Sequence, residues 1–365
     1  MALHPTCDPA IAEFSVQCRC GFYSVVMLPE SSYFQFTPDL KICRLLNGMW
    51  QVSGAHGRIN PDRAIAMMGE YLQAGYTTWD LADHYGPAED LIGAFRRQLQ
   101  AQGGGTAAHQ IQAFTKWVPR PAPMTRQIVQ ENINISLRRM DTTTLDLLQF
   151  HWWDYGDRGY LDALKYMAEL QQEGKIRHLA LTNFDTEHLQ IIVEQGIKIV
   201  SNQVQYSLVD RRPAVAMAQF CDQHNIKLFT YGTLCGGFLA DKYVGAKEPG
   251  RWSGIETVSQ RKYKQMIDAW GGWGLFQELL QTLGAIAQKH QVSIANVAVR
   301  MILDQPAVGG VIIGARLGIA EHLEDNGRVF GLQLDEGDRA QIDAITAQAN
   351  DLFRRIGDCG DEYRR

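Results

Sequence analysis

Residues 145–182 read LDLLQFHWWDYGDRGYLDALKYMAELQQEGKIRHLALT. Residues 145–151 and 178–182 are apolar runs of strand length, and residues 160–172 carry apolar side chains at helical spacing until Gly174. Strands that are apolar throughout are typical of a parallel sheet buried on both faces. The segment therefore predicts a strand–helix–strand unit of parallel sheet.

The same alternation extends along most of the chain. The predicted strands cover 43–49, 76–80, 111–116, 145–151, 178–182, 199–204, 227–231 and 308–314. The predicted helices cover 61–75, 88–99, 124–140, 160–172, 185–196, 213–224, 275–289, 293–304 and 320–330. Eight such units predict an α/β fold of the (β/α)8 TIM-barrel type. A doubly wound open sheet is the alternative, but residues 48–54, GMWQVSG, lack its usual Gly-rich phosphate loop.

We expect three segments: an N-terminal extension (1–40), the barrel (41–350) and a C-terminal tail (351–365), with Asp335 starting the last helical stretch. The extension is either a short hairpin that closes the bottom of the barrel or a disordered arm, and the sequence does not distinguish them. Residues 232–274 are rich in Gly and aromatics, and their glycines at 271, 272 and 274 predict a movable lid.

Composition excludes few classes of protein, but it gives no sign of a nucleic-acid or membrane partner. The net charge of −5 offers no argument for nucleic acid, and no apolar run approaches the roughly 20 residues of a membrane-spanning helix. The odd number and irregular spacing of the cysteines predict reduced thiols in a cytoplasmic protein, without a metal site. The seven are Cys7, Cys18, Cys20, Cys43, Cys221, Cys235 and Cys359. The oligomeric state is not indicated.

Four polar side chains lie at or just after predicted strand ends: Asp80, Tyr85, Lys116 and His151. Active sites of such barrels lie at the C-terminal ends of the strands. A tyrosine with a free pKa of about 10 is a poor acid near neutral pH unless an ammonium favours its phenolate. We therefore interpret the set as a carbonyl-reducing site in which Lys116, held by Asp80, lowers the Tyr85 pKa. His151 would orient the carbonyl oxygen, and a nicotinamide cofactor would supply the hydride.

Each of these residues also has a structural interpretation as a helix cap, a core aromatic, a solvated lysine or a core histidine. Two other functions stay open. One is a cofactor-sensing regulatory subunit with little turnover. The other is a metal-dependent hydrolase built on Asp80, His84 and His151, although Lys116 between them would repel a cation.

The chain resembles the aldo-keto reductase superfamily over roughly residues 43–330. The motifs are DLADHYGPAE (80–89), FTK (114–116), DLLQFHW (146–152), and GKIR (174–177) followed by TNF (182–184). They are similar to D-T-A-x-x-Y-G-x-x-E, T-K, D-L-y-x-x-H-W and G-K-I-R…S-N-F. The resemblance implies a TIM barrel, a nicotinamide cofactor bound without a Rossmann domain, and a catalytic tetrad of Asp80, Tyr85, Lys116 and His151.

The resemblance also implies the cofactor-binding residues. Thr182, in place of the usual serine, would bind the nicotinamide carboxamide with Asn183 and Gln203, and Tyr231 would stack on the ring. Met49 is a further implied cofactor contact. Gly232, Thr233 and Leu234 would line the pyrophosphate, and the implied contacts at the adenosine end are Arg316, His322, Asp325 and Asn326. Because Arg316 and His322 could both meet a 2′-phosphate, NADP(H) is favoured over NAD(H).

Tryptophans just after strand ends are expected to wall the substrate pocket: Trp50, Trp117 and Trp152, with Trp153 as a further candidate. Either Trp152 or Trp153 is expected to pack in the core instead. An aromatic wall favours an apolar or aromatic aldehyde or ketone over a sugar phosphate.

Overall fold

The computed structural model describes residues 27–54, 59–103, 109–250, 254–319 and 322–364. In chain order its strands are β1 (Tyr33–Thr37), β2 (Leu40–Cys43), β3 (Leu45–Gly48), β4 (Thr78–Asp80), β5 (Gln112–Trp117), β6 (Leu147–Phe150), β7 (Leu179–Thr182), β8 (Ser201–Gln205), β9 (Lys227–Tyr231) and β10 (Val308–Gly314). Strands β3 to β10 pair in parallel in chain order, and β10 also pairs with β3. They close a barrel, which confirms the predicted TIM-barrel fold.

Helices follow the barrel strands as predicted. They are α1 (Pro61–Gln73), α2 (Ala88–Ala101), α3 (Arg126–Arg139), α4 (Gly159–Gln172), α5 (Thr186–Glu194), α6 (Met217–Gln223), α7 (Val258–Trp270), α8 (Gly272–His290), α9 (Ile294–Leu303), α10 (Leu323–Gly327), α11 (Glu336–Thr346) and α12 (Leu352–Ile356). The cap expected before Pro61 is present, because the Asn60 side chain accepts a hydrogen bond from the Arg63 amide. None of the described helices combines the length and the apolar character needed to cross a membrane.

The region between β9 and α8 differs from its prediction. Helix α7 forms there, capped by the Thr257 side chain, and it buries Tyr263, Met266, Ile267 and Trp270. That spacing of apolar residues is itself a helical signal, which the sequence reading missed. The prediction of a movable glycine loop at 271–274 is wrong, because Gly272 and Gly274 lie in the first turn of α8.

The antiparallel hairpin of β1 and β2 covers the N-terminal end of the barrel. Its side chains Phe36, Leu40 and Ile42 join a buried cluster with Phe114 and Phe229 from the barrel interior. Of the two interpretations of the extension, the hairpin therefore holds for residues 33–43. Residues 1–26, with Cys7, Cys18 and Cys20, lie outside the described part of the chain.

The alternation of side chains along each strand selects what reaches the barrel interior. In β6, Leu147 joins the interior cluster, while Leu148 and Phe150 face outward into the core shared with the helices. Gln149 points inward, where it bonds to Asp80 of another strand. His151, directly after β6, continues the inward series. The period of two thus aims polar groups at the C-terminal mouth of the barrel.

Candidate active site

A buried ion pair lies at the centre of the site. The Lys116 ammonium donates to both carboxylate oxygens of Asp80 at 2.7 Å and to the carbonyl oxygen of Leu81 at 2.8 Å. All three N–H groups of the ammonium are therefore used. Burial lowers the pKa of Lys116, and the adjacent Asp80 carboxylate opposes that shift.

Two glutamines extend this pair across the barrel. The side-chain nitrogens of Gln149 and Gln203 donate to Asp80 Oδ1 at 3.0 and 2.7 Å, and that of Gln203 also donates to Gln149 Oε1 at 2.7 Å. Gln149 belongs to the DLLQFHW motif but was not among the predicted site residues. Its position two residues before His151 on the same strand face was the signal that could have found it.

Tyr85 lies beside the ion pair. The Lys116 Nζ atom is 5.0 Å from the centre of its ring, and Trp50 packs edge-on against it at 5.1 Å between ring centres. Burial, followed by the charge of Asp80, raises the pKa of Tyr85 well above its ordinary value. In this arrangement burial and the charge of Asp80 outweigh any lowering of the Tyr85 pKa by the Lys116 ammonium, so the net pKa is raised rather than lowered as expected.

His151 is oriented by a backbone contact. Its Nδ1 atom lies 3.0 Å from the Thr182 carbonyl oxygen, so Nδ1 carries the proton and neutral His151 offers a lone pair at Nε2. Burial, opposed by this hydrogen bond, lowers its pKa to about 4. Nε2 is buried and has no hydrogen-bond partner among the described residues. This tautomer can accept a bond from a hydroxyl group but cannot donate one to a carbonyl oxygen.

The residues implied for the nicotinamide converge at the same mouth. Asn183 has a left-handed backbone (φ 58°), and its Oδ1 accepts a hydrogen bond from the Tyr231 hydroxyl at 2.8 Å. The Thr182 hydroxyl donates to the Gln203 carbonyl oxygen. Within the described part of the chain, the side-chain nitrogen of Asn183, a donor, and the side-chain oxygen of Gln203, an acceptor, make no hydrogen bond. This pair complements the C=O and NH2 of a carboxamide, so these residues fit a nicotinamide group.

The residues implied for the rest of a dinucleotide follow the ends of β9 and β10. Gly232 adopts φ 70°, and the Thr233 hydroxyl donates to the Tyr206 carbonyl oxygen at 2.9 Å. Leu234 is half-buried, whereas Arg316 and His322 are exposed. Asp325 accepts hydrogen bonds from Ser293 and Asn296 at the start of α9, and the Asn326 amide donates to the His322 carbonyl oxygen in α10.

Three predicted site residues do not have side chains at the mouth. Trp117 and Trp152 continue the outward-facing rows of β5 and β6 and are buried in the outer core, where both contact Phe150. Trp152 donates its indole N–H to carbonyl oxygens of Asp154 and Asp157. Met49 is also fully buried in that core. Assigning Trp117 and Trp152 to the pocket wall is therefore wrong, since strand alternation turns them away from His151.

The tryptophans at the mouth are Trp50, beside Tyr85, and Trp153. The Trp153 ring packs edge-on to His151 at 4.3 Å between ring centres and is 39% exposed. Among the described residues, no group of three or more His, Cys, Asp or Glu side chains could hold a metal ion. Asp80 is paired with Lys116, and His84 is paired with Asp83.

Comparison with known proteins finds chains of similar sequence and fold. Protein tas of Escherichia coli is 28% identical over 254 residues, which cover 61% of this chain and 67% of that protein. The NADH-specific methylglyoxal reductase of E. coli is 22% identical over 320 residues, covering 83% of this chain and 94% of the relative. A Klebsiella pneumoniae aldo/keto reductase solved with NADP and acetate has a TM-score of 0.65 at 22% identity, covering 86% of this chain and 95% of that one.

The likeness to the solved structure supports the fold alone at this level of identity. The family assignment rests on the sequence. The sequence model of the aldo/keto reductase family matches residues 44–347, which hold the whole barrel and all four residues of the proposed tetrad. This chain belongs to the aldo/keto reductase family.

Proposed function

We propose that the protein reduces a small aldehyde or ketone to an alcohol with NADPH, and that Tyr85 is the general acid. The observation that carries the proposal is the Tyr85 phenol beside the buried Asp80–Lys116 pair, at the same mouth as a His151 Nε2 atom with no partner among the described residues. Carbonyl reduction requires a proton donor for the substrate oxygen, which Tyr85 can be, and His151 Nε2 can accept a hydrogen bond from the alcohol that forms.

The roles of the residues follow from their contacts. A reduced nicotinamide dinucleotide supplies a hydride when bound. Asn183 and Gln203 would orient its carboxamide. Tyr85, protonated because of its raised pKa, would give its proton to the carbonyl oxygen as negative charge develops there, since an alkoxide is a stronger base than a phenolate. The Lys116 ammonium, 5.0 Å from the ring, would stabilise the phenolate left behind.

The tautomer of His151 supports a different role from the one expected. Its Nε2 lone pair would accept a hydrogen bond from the hydroxyl group of the alcohol product, which holds the oxygen between Tyr85 and His151. In the reverse direction the same contact would position an alcohol for oxidation. Trp50 and Trp153 flank these two residues, and they support an apolar or aromatic substrate.

Fluorescence titration with NADPH and NADH, followed by a panel of aldehydes and ketones with the tighter nucleotide, tests the proposal. We expect saturable binding and turnover that is fastest on apolar or aromatic aldehydes. Tight binding without turnover on any member of the panel would contradict the reductase and favour the regulatory subunit.

Preference for NADPH depends on the exposed Arg316. A guanidinium bound to a 2′-phosphate makes charge-assisted hydrogen bonds, so Arg316→Ala should weaken NADPH binding by about tenfold or more. NADH has no 2′-phosphate and serves as the internal control. Equal effects on the two nucleotides, or none, would refute the assignment of Arg316.

A further inference from the structure

The end of the chain crosses the mouth of the barrel. After α12, residues 357–364 form what we call the C-terminal strap. Arg212 donates to Glu362 and to the Asp358 carbonyl oxygen, both at 2.9 Å, while the Thr186 amide donates to the Asp358 carboxylate at 2.8 Å. Arg212 is fully buried and is also paired with Asp210. It therefore anchors the strap to the barrel beside the site.

The strap contacts two residues implied in nicotinamide binding. The Tyr363 hydroxyl is 3.0 Å from the Tyr231 hydroxyl, and the Tyr363 ring centre is 6.3 Å from that of His151. Gly360 adopts φ 89° so close to Asn183 that an added Cβ would lie 2.1 Å from the Asn183 carbonyl oxygen. Only glycine allows this approach. The strap therefore lies on Asn183 and Tyr231 at once.

Helix α7 closes the neighbouring space. Lys262 hydrogen-bonds to the Tyr363 hydroxyl, and its Nζ lies 5.3 Å from the Tyr231 ring centre and 4.3 Å from that of Tyr363. The adjacent Tyr263 packs over Gly232. A Cβ added to Gly232 would lie 2.2 Å from the Tyr263 hydroxyl oxygen. The strap thus holds an ammonium over Tyr231 that could otherwise pair with phosphate.

We propose that the C-terminal strap is a self-blocking element, which a nicotinamide dinucleotide must displace to reach Asn183 and Tyr231. Displacement breaks the Tyr363 contacts and frees Lys262, so part of the binding free energy is spent on opening. The strap then sets the affinity for the dinucleotide. The inference rests on the proposed function, because it concerns the same nucleotide.

Titration with NADPH tests the strap directly. Tyr363→Ala removes the ring and hydroxyl that contact Tyr231 and Lys262, so NADPH should bind about fivefold or more tightly. Tyr363→Phe keeps the ring and should give a smaller gain. Arg354→Ala, on α12 at a side chain that is 88% exposed, is the matched control and should bind as the wild type does. Unchanged or weaker binding by Tyr363→Ala would overturn the inference.

Hydrogen exchange on the unmodified protein gives a second test that does not depend on a variant. Ligands usually protect the amides they cover, but here NADPH should speed exchange at the strap amides of Tyr363 and Arg364, which bond to Gly360 and Asp361. Slower or unchanged exchange with bound NADPH would overturn the strap and leave the reductase standing. Failure of wild type and Tyr363→Ala to bind either nucleotide would instead overturn the proposed function, and the strap with it.

Discussion

Individual residues at the mouth act through shared hydrogen bonds. Asp80 alone accepts bonds from Lys116, Gln149 and Gln203, all buried. The motif resemblance predicted Asp80, Lys116 and Gln203 but not the part of Gln149. The resemblance also could not supply the pKa of Tyr85, which depends on burial. Nor could it supply the tautomer of His151, which depends on the Thr182 backbone carbonyl of another strand.

Replacing Gln149 tests this network. Gln149→Leu leaves Asp80 and Gln203 each without one buried partner, so the free energy of unfolding should fall by about 2 kcal/mol. NADPH binding should also weaken, because the Gln203 amide loses a group that orients it. Gln190→Leu, at an exposed position of α5, is the control. Urea unfolding and NADPH titration measure both effects, and a variant as stable as wild type would disprove the network's contribution.

The lowered pKa of His151 predicts a pH dependence of stability. Between its folded value of about 4 and the ordinary value of 6.5, the unfolded chain binds a proton that the folded protein does not. Stability from this group is therefore present above pH 6.5 and is lost as the pH falls toward 4, by about 3 kcal/mol. Urea unfolding at several pH values should show a steeper loss for wild type than for His151→Asn. Parallel curves would contradict the lowered pKa.

At the scale of elements, strand alternation explains both the successes and the errors of the sequence reading. Inward positions gave Asp80, Lys116 and His151 correctly as residues of the mouth. Trp117 and Trp152 directly follow the inward-facing Lys116 and His151, so they face outward. The alternation that places them there can be read from the sequence. The bounds of β10 match the prediction, whereas the Gly and aromatic content of residues 232–274 predicts a loop where α7 forms.

The β1–β2 hairpin should contribute stability rather than chemistry. Phe36 is buried against Phe229 at 5.1 Å between ring centres. Phe36→Ala removes that contact at the opposite end of the barrel from the site. We expect the free energy of unfolding to fall by about 3 kcal/mol with NADPH affinity unchanged. Val215→Ala, at an exposed position, should leave both values as they are. A stable Phe36→Ala protein with altered NADPH affinity would contradict this division.

For the whole molecule, the barrel was predictable because each strand–helix unit has its own local pattern of apolar residues. The C-terminal strap was not, since its ion pair joins Arg212 to Glu362, 150 residues apart, and no local pattern encodes such a contact. The division at residues 40 and 350 and the cytoplasmic location stay predictions from sequence. The strap also shows that residues after 350 contact the site, although they lay outside the predicted barrel.

We propose Tyr85 as the source of the proton in an NADPH-dependent reduction. The most direct measurement is kcat/KM of Tyr85→Phe on the best aldehyde of the panel, together with its Kd for NADPH. We expect a fall in kcat/KM of about a hundredfold or more with Kd essentially unchanged. A Tyr85→Phe enzyme that binds NADPH and turns over at nearly the wild-type rate would contradict it.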